Sequence, residues 1–293
     1  MSAASSRKSV TEYLVTLPSF VWLTIFFVIP TFIIFAMAFR PANLAGGFGE
    51  GWTLEAWQSL SNPNYPAIIW RTVWLSFTTT AVCILLSLPC AYYIARLRAP
   101  LRQTLLMLII IPFWTNFLIR VFAWKSIMHP DGIIKRTLLF LGLVEPNTQL
   151  LYNDYSILVV LIYTHLPFAI LPIYAAAEKF DFRLMEAARD LGAGALRAFW
   201  SIFVPGIRRG LMTALLMVLI PAMGSYVIPD IMGGPTSEMI GNKIAQRTFS
   251  DRNLPQASAL AALLTFTVLG PLVAALIVQG NRSSPGRKPE GAT

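Results

Sequence analysis

Few residues of this chain could do chemistry, and the usual catalytic spacings are missing among them. No phosphate-binding run of the form G-x-x-x-x-G-K-[ST] occurs, and neither do H-E-x-x-H, C-x-x-C or G-x-S-x-G. The two histidines, His129 and His165, are too far apart in sequence to form a local ligand pair. His165 reads as a packing or hydrogen-bonding residue. Cys83 and Cys90 stand seven residues apart in one apolar block. On a helix that is roughly 10 Å along the axis, beyond disulfide reach, so both read as packing residues. No catalytic group, no metal site and no cofactor bound by this chain are expected.

One run in the middle of the chain carries more. In Arg183–Leu191 the apolar residues Leu184, Ala187, Ala188 and Leu191 recur at i, i+3, i+4 and i+7, which is one helical face. Gly192-Ala193-Gly194 supplies a stop of the kind glycine gives at a helix C-terminus. A second helix follows, with Leu196, Phe199, Trp200 and Phe203 on one face, and Pro205-Gly206 ends it. Ala187 and Ala188 are small enough for a partner backbone to approach closely. From the residues alone, two readings stand side by side: a membrane-surface helix pair with aromatics in the interface, or a docking element. Glu186 has Arg183 and Arg189 three residues to either side, close enough to hold its carboxylate, while Asp190 opposes it.

The elements that must position these residues follow from composition. Of 293 residues, 56% are hydrophobic and only 13% charged, against about 25% charged in an ordinary soluble domain. The mean hydropathy is +0.62. These values exclude a soluble globule and a disordered chain. A helix needs about 20 apolar residues to span a bilayer, and six segments qualify: 14–39, 72–95, 104–128, 155–177, 210–231 and 256–279. Pro112, Arg120 and Lys125 interrupt the third, whose outer part reads as kinked or interfacial. The first is too long for the core of a cleavable signal and reads as a retained span. The architecture expected is all-α and polytopic, without internal repeats.

Charge sets the orientation. Of the 23 lysines and arginines, 14 fall in residues 1–13, 96–102, 178–209 and the C-terminal tail, leaving 9 for the other side. The positive-inside rule then puts both termini in the cytoplasm, and the net charge of +9 becomes a topology signal, not a nucleic-acid one. The layout expected is a cytoplasmic N-terminus over 1–13, a membrane domain over 14–281 with a long inside loop at 178–209, and a disordered cytoplasmic tail over 282–293. Residues 40–67, 129–154 and 232–255 are outside loops, the second with an amphipathic stretch from Ile133 to Leu143.

Polar groups inside spans are costly and face an aqueous path or a partner helix. Asn116, Arg120, Tyr163, His165, Tyr226 and Asp230 are of this kind. For Arg120 a path-facing position and a snorkelling position at the outer interface stand equally open. Asp230 directly follows Pro229 at the end of the fifth apolar segment, with Tyr226 four residues earlier on the same face. It reads either as a path residue or as a solvated helix end.

The spacing Glu186-Ala187-Ala188, three residues, Gly192, nine residues, Ile202-Phe203-Val204-Pro205 resembles the EAA motif of binding-protein-dependent ABC importer permeases, with Val204 where the motif has leucine. The run 186–193 is similar to the spermidine/putrescine permease version. So are Pro112-Phe113-Trp114-Thr115-Asn116-Phe117-Leu118-Ile119-Arg120, His165-Leu166-Pro167-Phe168, Pro221-Ala222-Met223-Gly224, Asp230-Ile231-Met232-Gly233-Gly234 and Ile240-Gly241-Asn242. The match covers 100–255 well and the first hundred residues by architecture only. It implies a type I (MetI-like) ABC importer permease fold in the bacterial inner membrane. The implied partners are a second permease subunit, two cytoplasmic ATPases that use ATP, and an extracytoplasmic binding protein. Glu186, Ala187, Ala188, Arg189, Asp190, Gly192, Ile202 and Pro205 then form the ATPase-coupling site. For a polycationic cargo, Trp114, Asn116, Tyr226, Asp230 and Glu238 supply aromatic faces and carboxylates along the path. Another small solute (an amino acid derivative, an opine or an iron chelate) is the rival cargo. An ion-driven secondary transporter is the rival class.

Overall fold

A computed structural model of the chain describes residues 15–43 and 46–282, with side chains placed up to residue 270. The expectations for residues 1–13 and for residues 283–293 of the disordered tail lie outside the described residues, while Arg282, expected in that tail, is the last residue of a helix. Apart from one bridge between Ala42 and Phe48, the described residues hold no β-structure. The helices fall into two compact units, one built from the described residues up to Tyr65 and from Ile244 onward, the other from Pro66 to Lys243.

In the first unit, α1 (Val15–Met37) and α13 (Leu254–Arg282) are the apolar helices. No described residue of α1 before Ala38 is buried, as expected of a surface solvated by lipid. Phe35 meets Phe266 with ring centroids 5.1 Å apart. Beyond α1, a hairpin leads to the short helix α2 (Glu55–Ser59), where Phe39 packs on Trp57. Tyr65 is buried, and its hydroxyl accepts from Gln256 Nε2 at 2.8 Å and from Arg247 at 3.3 Å, while Asp251 pairs with Arg247. Burial works against the Arg247 charge. The Tyr65 hydroxyl and the Asp251 carboxylate outweigh it and hold the guanidinium above its ordinary range.

The second unit holds most of α3 (Asn64–Ala95) together with α4 (Ala99–Ile110), α5 (Phe117–Met128), α6 (Ile133–Phe140), α7 (Asp154–Glu178), α8 (Arg183–Asp190), α9 (Ala195–Gly206), α10 (Arg208–Met223), α11 (Val227–Met232) and the start of α12 (Ile240–Ala245). Its central pair is α7 and α10. Along α10, Gly210, Ala214, Val218 and Ala222 are buried at every fourth position, and Ala169, Ile173 and Ala177 are buried on α7. Where a Cβ would stand on Gly210, Ala176 Cβ is 2.5 Å away and the Pro172 carbonyl oxygen 2.7 Å away. Small residues at such a seam let helix backbones approach closely, which is how helices associate in lipid.

Among the described residues, three helices are long and apolar enough to span a membrane unaided, and two bent pairs raise the number to five. With α13 running to Arg282, the architecture is compatible with six crossings. The third segment is kinked, in line with its interruption at Pro112: residues 99–114 and 117–140 meet at 90°. Pro112 lacks a donor for a continuing helix, Thr115 is extended, and Asn116 Oδ1 accepts from Leu118 N at 2.8 Å to start α5. The fifth stops at Met223 instead of running to residue 231, because Gly224 caps α10 and α11 begins separately after Tyr226. The amphipathic stretch at 133–143 is helical as α6.

Candidate functional site

The 178–209 loop folds as helix, glycine stop, helix. Asp181 Oδ1 accepts from Arg183 N at 3.0 Å and opens α8. At its other end Gly192 N donates to the Arg189 carbonyl and Ala193 N to the Ala188 carbonyl, at 2.9 and 3.0 Å. This pair of bonds is a Schellman motif, which needs a left-handed residue at its centre. Gly192 has φ +88° there, and the space where its Cβ would stand is open. The glycine is required by backbone conformation alone.

The α8 faces differ from the periodic reading. Phe182, Met185 and Ala188 turn toward the core, with Met185 buried. Leu184 and Leu191 are 54% and 90% exposed, and Glu186, Ala187, Arg189 and Asp190 are exposed beside them. Apolar residues thus occupy two sides of one short helix, and among the described residues only one side has a partner. Among the described residues, no ion pair joins Glu186 to Arg183 or Arg189. In water such a pair gains too little to fix two long side chains.

Helix α9 contains a π turn over Phe199–Phe203, which shifts its register. Phe203 is fully buried and Phe199 partly so, while Leu196 and Trp200 are exposed, so the four do not form one buried face. Ile202 packs on the core, and Pro205 lies in the last turn before the chain bends by 74° into α10. Beneath the loop lies a ring cluster that periodicity does not reveal. Tyr92 of α3 stands 5.8, 5.4 and 5.0 Å from Phe182, Phe199 and Phe203. Phe180 is 5.3 Å from both Phe182 and Phe203. The Arg96 guanidinium lies over Tyr92 and Phe182 and donates to the Tyr92 hydroxyl at 2.8 Å. The only sequence signal was aromatic density at 180–182 and 199–203, and Arg96 counted there as a topology charge.

The polar residues of the spans do not converge on one pocket. Trp114 is 79% exposed at the bend, and Asn116 is occupied as the α5 cap. Arg120 is stacked 4.8 Å over Phe113 and 6.0 Å over Phe117. His165 is buried and its Nδ1 lies 2.8 Å from the Leu161 carbonyl, so that nitrogen donates one turn back along its own helix. Tyr163 packs edge-on against Trp124. Cys83 and Cys90 are both free thiols, the first buried and the second exposed.

Tyr226 is 51% exposed and precedes α11, while Asp230 is exposed in its first turn. Asp230 N still donates to the Tyr226 carbonyl at 3.1 Å, so the two remain one turn apart. Glu238 is engaged: both its oxygens lie 3.1 Å from Lys243 Nζ. Its carbonyl accepts from Arg71, which also pairs with Asp154 at 3.4 Å. These two ion pairs, joined through the Glu238 backbone carbonyl, link α3, α7 and the 233–243 segment, and no local spacing announced them. Among the described residues, no cluster of three or more potential metal ligands occurs.

Comparison with known proteins matches this arrangement. Residues 84–283 match the family described as binding-protein-dependent transport system inner membrane component. The chain is 35% identical over 246 residues to the spermidine/putrescine transport system permease protein PotB of Haemophilus influenzae, covering 84% of this chain and 86% of that protein. Against PotB of Escherichia coli it is 33% identical over 247 residues, 84% of this chain and 90% of that one. Among solved structures it is similar to a bacterial ABC transporter that imports the acidic polysaccharide alginate. The TM-score is 0.67 at 17% identity, over 96% of this chain and 99% of that one. The same is true of a bacterial alginate ABC transporter in complex with its pentasaccharide-bound periplasmic protein, with a TM-score of 0.71 at 16% identity over 97% and 98%. The fold is thus an ABC importer permease fold, and the chain belongs to the inner membrane components of binding-protein-dependent transport systems.

Proposed function

We propose that the chain is a permease subunit of an ABC importer and that its cargo is a polyamine, spermidine or putrescine. The observation that carries this reading is α8: a glycine-stopped helix with its inner side on the core and Leu184, Glu186, Ala187 and Leu191 exposed. An exposed short helix with apolar and acidic residues fits a groove in a partner. The resemblance at 186–205 supports reading that partner as a cytoplasmic ATPase, with contacts centred on Glu186 and Gly192. ATP hydrolysis then belongs to two such ATPases. A second permease completes the path and an extracytoplasmic binding protein delivers cargo, a partner also supported by the periplasmic protein bound to the similar alginate transporter. Residues 14–281 act as the membrane domain, with 1–13 and 282–293 in the cytoplasm.

The cargo follows from the names of the relatives and from chemistry. A flexible polycation is held by carboxylates and aromatic faces, and Asp230, Tyr226 and Trp114 offer these groups unengaged. Glu238 serves only if a cargo ammonium displaces Lys243. Uptake of labelled spermidine by the reconstituted importer, in competition with putrescine, amino acid derivatives, opines and iron chelates, tests the cargo. Asp230→Asn keeps the shape and removes the charge, so polyamine uptake should fall strongly while assembly stays intact. Undiminished uptake well below saturation returns Asp230 to the surface, and competition by a non-polyamine alone refutes the cargo.

A further inference from the structure

In the ring cluster two elements, α8 and α9, meet on one side chain of a spanning helix. Phe182 opens α8, Phe199 and Phe203 belong to the π turn of α9, and all three present to Tyr92 at interplanar angles of 66°, 84° and 76°. Edge-to-face rings at such distances are a directional contact, and close-packed interiors pass on strain instead of absorbing it. Arg96 fixes the ring: it covers Tyr92 at 5.3 Å and Phe182 at 5.8 Å and bonds the hydroxyl. The cluster is also seated on the last turn of α9, because Phe180 Cε2 lies 2.4 Å from where a Cβ of Gly206 would stand. Helix α3 has 32 residues, with Pro89 three positions before Tyr92. At about 1.5 Å per residue it is roughly 48 Å long, so a small tilt at the Tyr92 end becomes a larger shift at the far end.

From this geometry we infer that Tyr92 is a positioning residue of the coupling step: displacement of α8 and α9 by the ATPase reaches α3 through the Tyr92 ring, held in register by Arg96. The inference rests on the reading of α8 as the ATPase dock. It goes further in naming α3 as a spanning helix that receives the motion, and the contact through which it does so.

The complete importer in lipid vesicles, with binding protein and spermidine, provides the test. Three quantities are measured for each variant: assembly, ATP hydrolysis with and without loaded binding protein, and uptake. A crosslink from Ala187→Cys to the ATPase reports docking separately. Tyr92→Leu should keep assembly, crosslink and basal hydrolysis, while uptake and the stimulation by loaded binding protein fall at least about fivefold, the size of an ordinary allosteric coupling. Tyr92→Phe keeps the ring and should restore stimulation. If Tyr92→Leu does not assemble, Phe199→Leu removes the same contact from the other side and should show the same uncoupling. Normal stimulation and uptake in an assembled Tyr92→Leu or Phe199→Leu importer overturns the inference, as does loss only in proportion to lost assembly. Absence of the crosslink in the otherwise unaltered importer overturns the docking reading, and the inference with it.

Discussion

Gly192 shows how a single backbone angle can organise a site. Its φ of +88° and the empty space where its Cβ would stand mean that a side chain meets no steric obstacle, only the left-handed conformation. For an ordinary residue that conformation costs roughly 1–2 kcal/mol, and asparagine tolerates it better. Uptake should therefore fall in the order Gly, Gly192→Asn, Gly192→Ala, Gly192→Val, with membrane levels of the subunit unchanged. Immunoblots of membranes alongside uptake rates check this. Equal uptake in the valine and asparagine variants would mean that the Schellman turn does not position α8.

At the scale of elements, the α7–α10 seam is closed by absence of side chain at Gly210. Gly210→Leu forces atoms into the space of Ala176 and the Pro172 carbonyl. Overpacking of this kind costs typically about 1–3 kcal/mol, so the thermal transition of the detergent-solubilised subunit should drop, and less for Gly210→Ala. An unchanged transition would show that the two helices separate freely. The Glu238–Lys243 pair makes the opposite case. Its side chains are 28% and 15% exposed, so a partly solvated pair contributes about 0–1 kcal/mol. Lys243→Met should leave the thermal transition nearly unmoved.

For the whole molecule, the distribution of lysine and arginine predicts where the ends lie. A reporter fused after Arg282 should be active only in a cytoplasmic assay, and one inserted after Gly142 only outside. Gly142 closes α6 with φ +68°, so an insertion there falls at an existing turn. An active outside reporter at Arg282 would mean that the bent 99–140 segment does not cross the membrane once.

Composition and local spacing suffice for the class of molecule, for its polytopic all-α architecture, for the helix–glycine–helix of 183–206 and for the need for glycine at 192. Each of these follows from composition or from spacing within a few turns, which backbone geometry converts directly into structure. Which side of α8 is free was settled by packing, because apolar residues lie on both and burial depends on what packs beneath. The tertiary structure likewise decided that residues 99–140 turn through a right angle, that the fifth segment breaks at Gly224, and that Glu238 is held by Lys243. The joint at Tyr92 was illegible for the same reason: its rings come from residues 92, 182, 199 and 203, and no local period links positions so far apart in the chain.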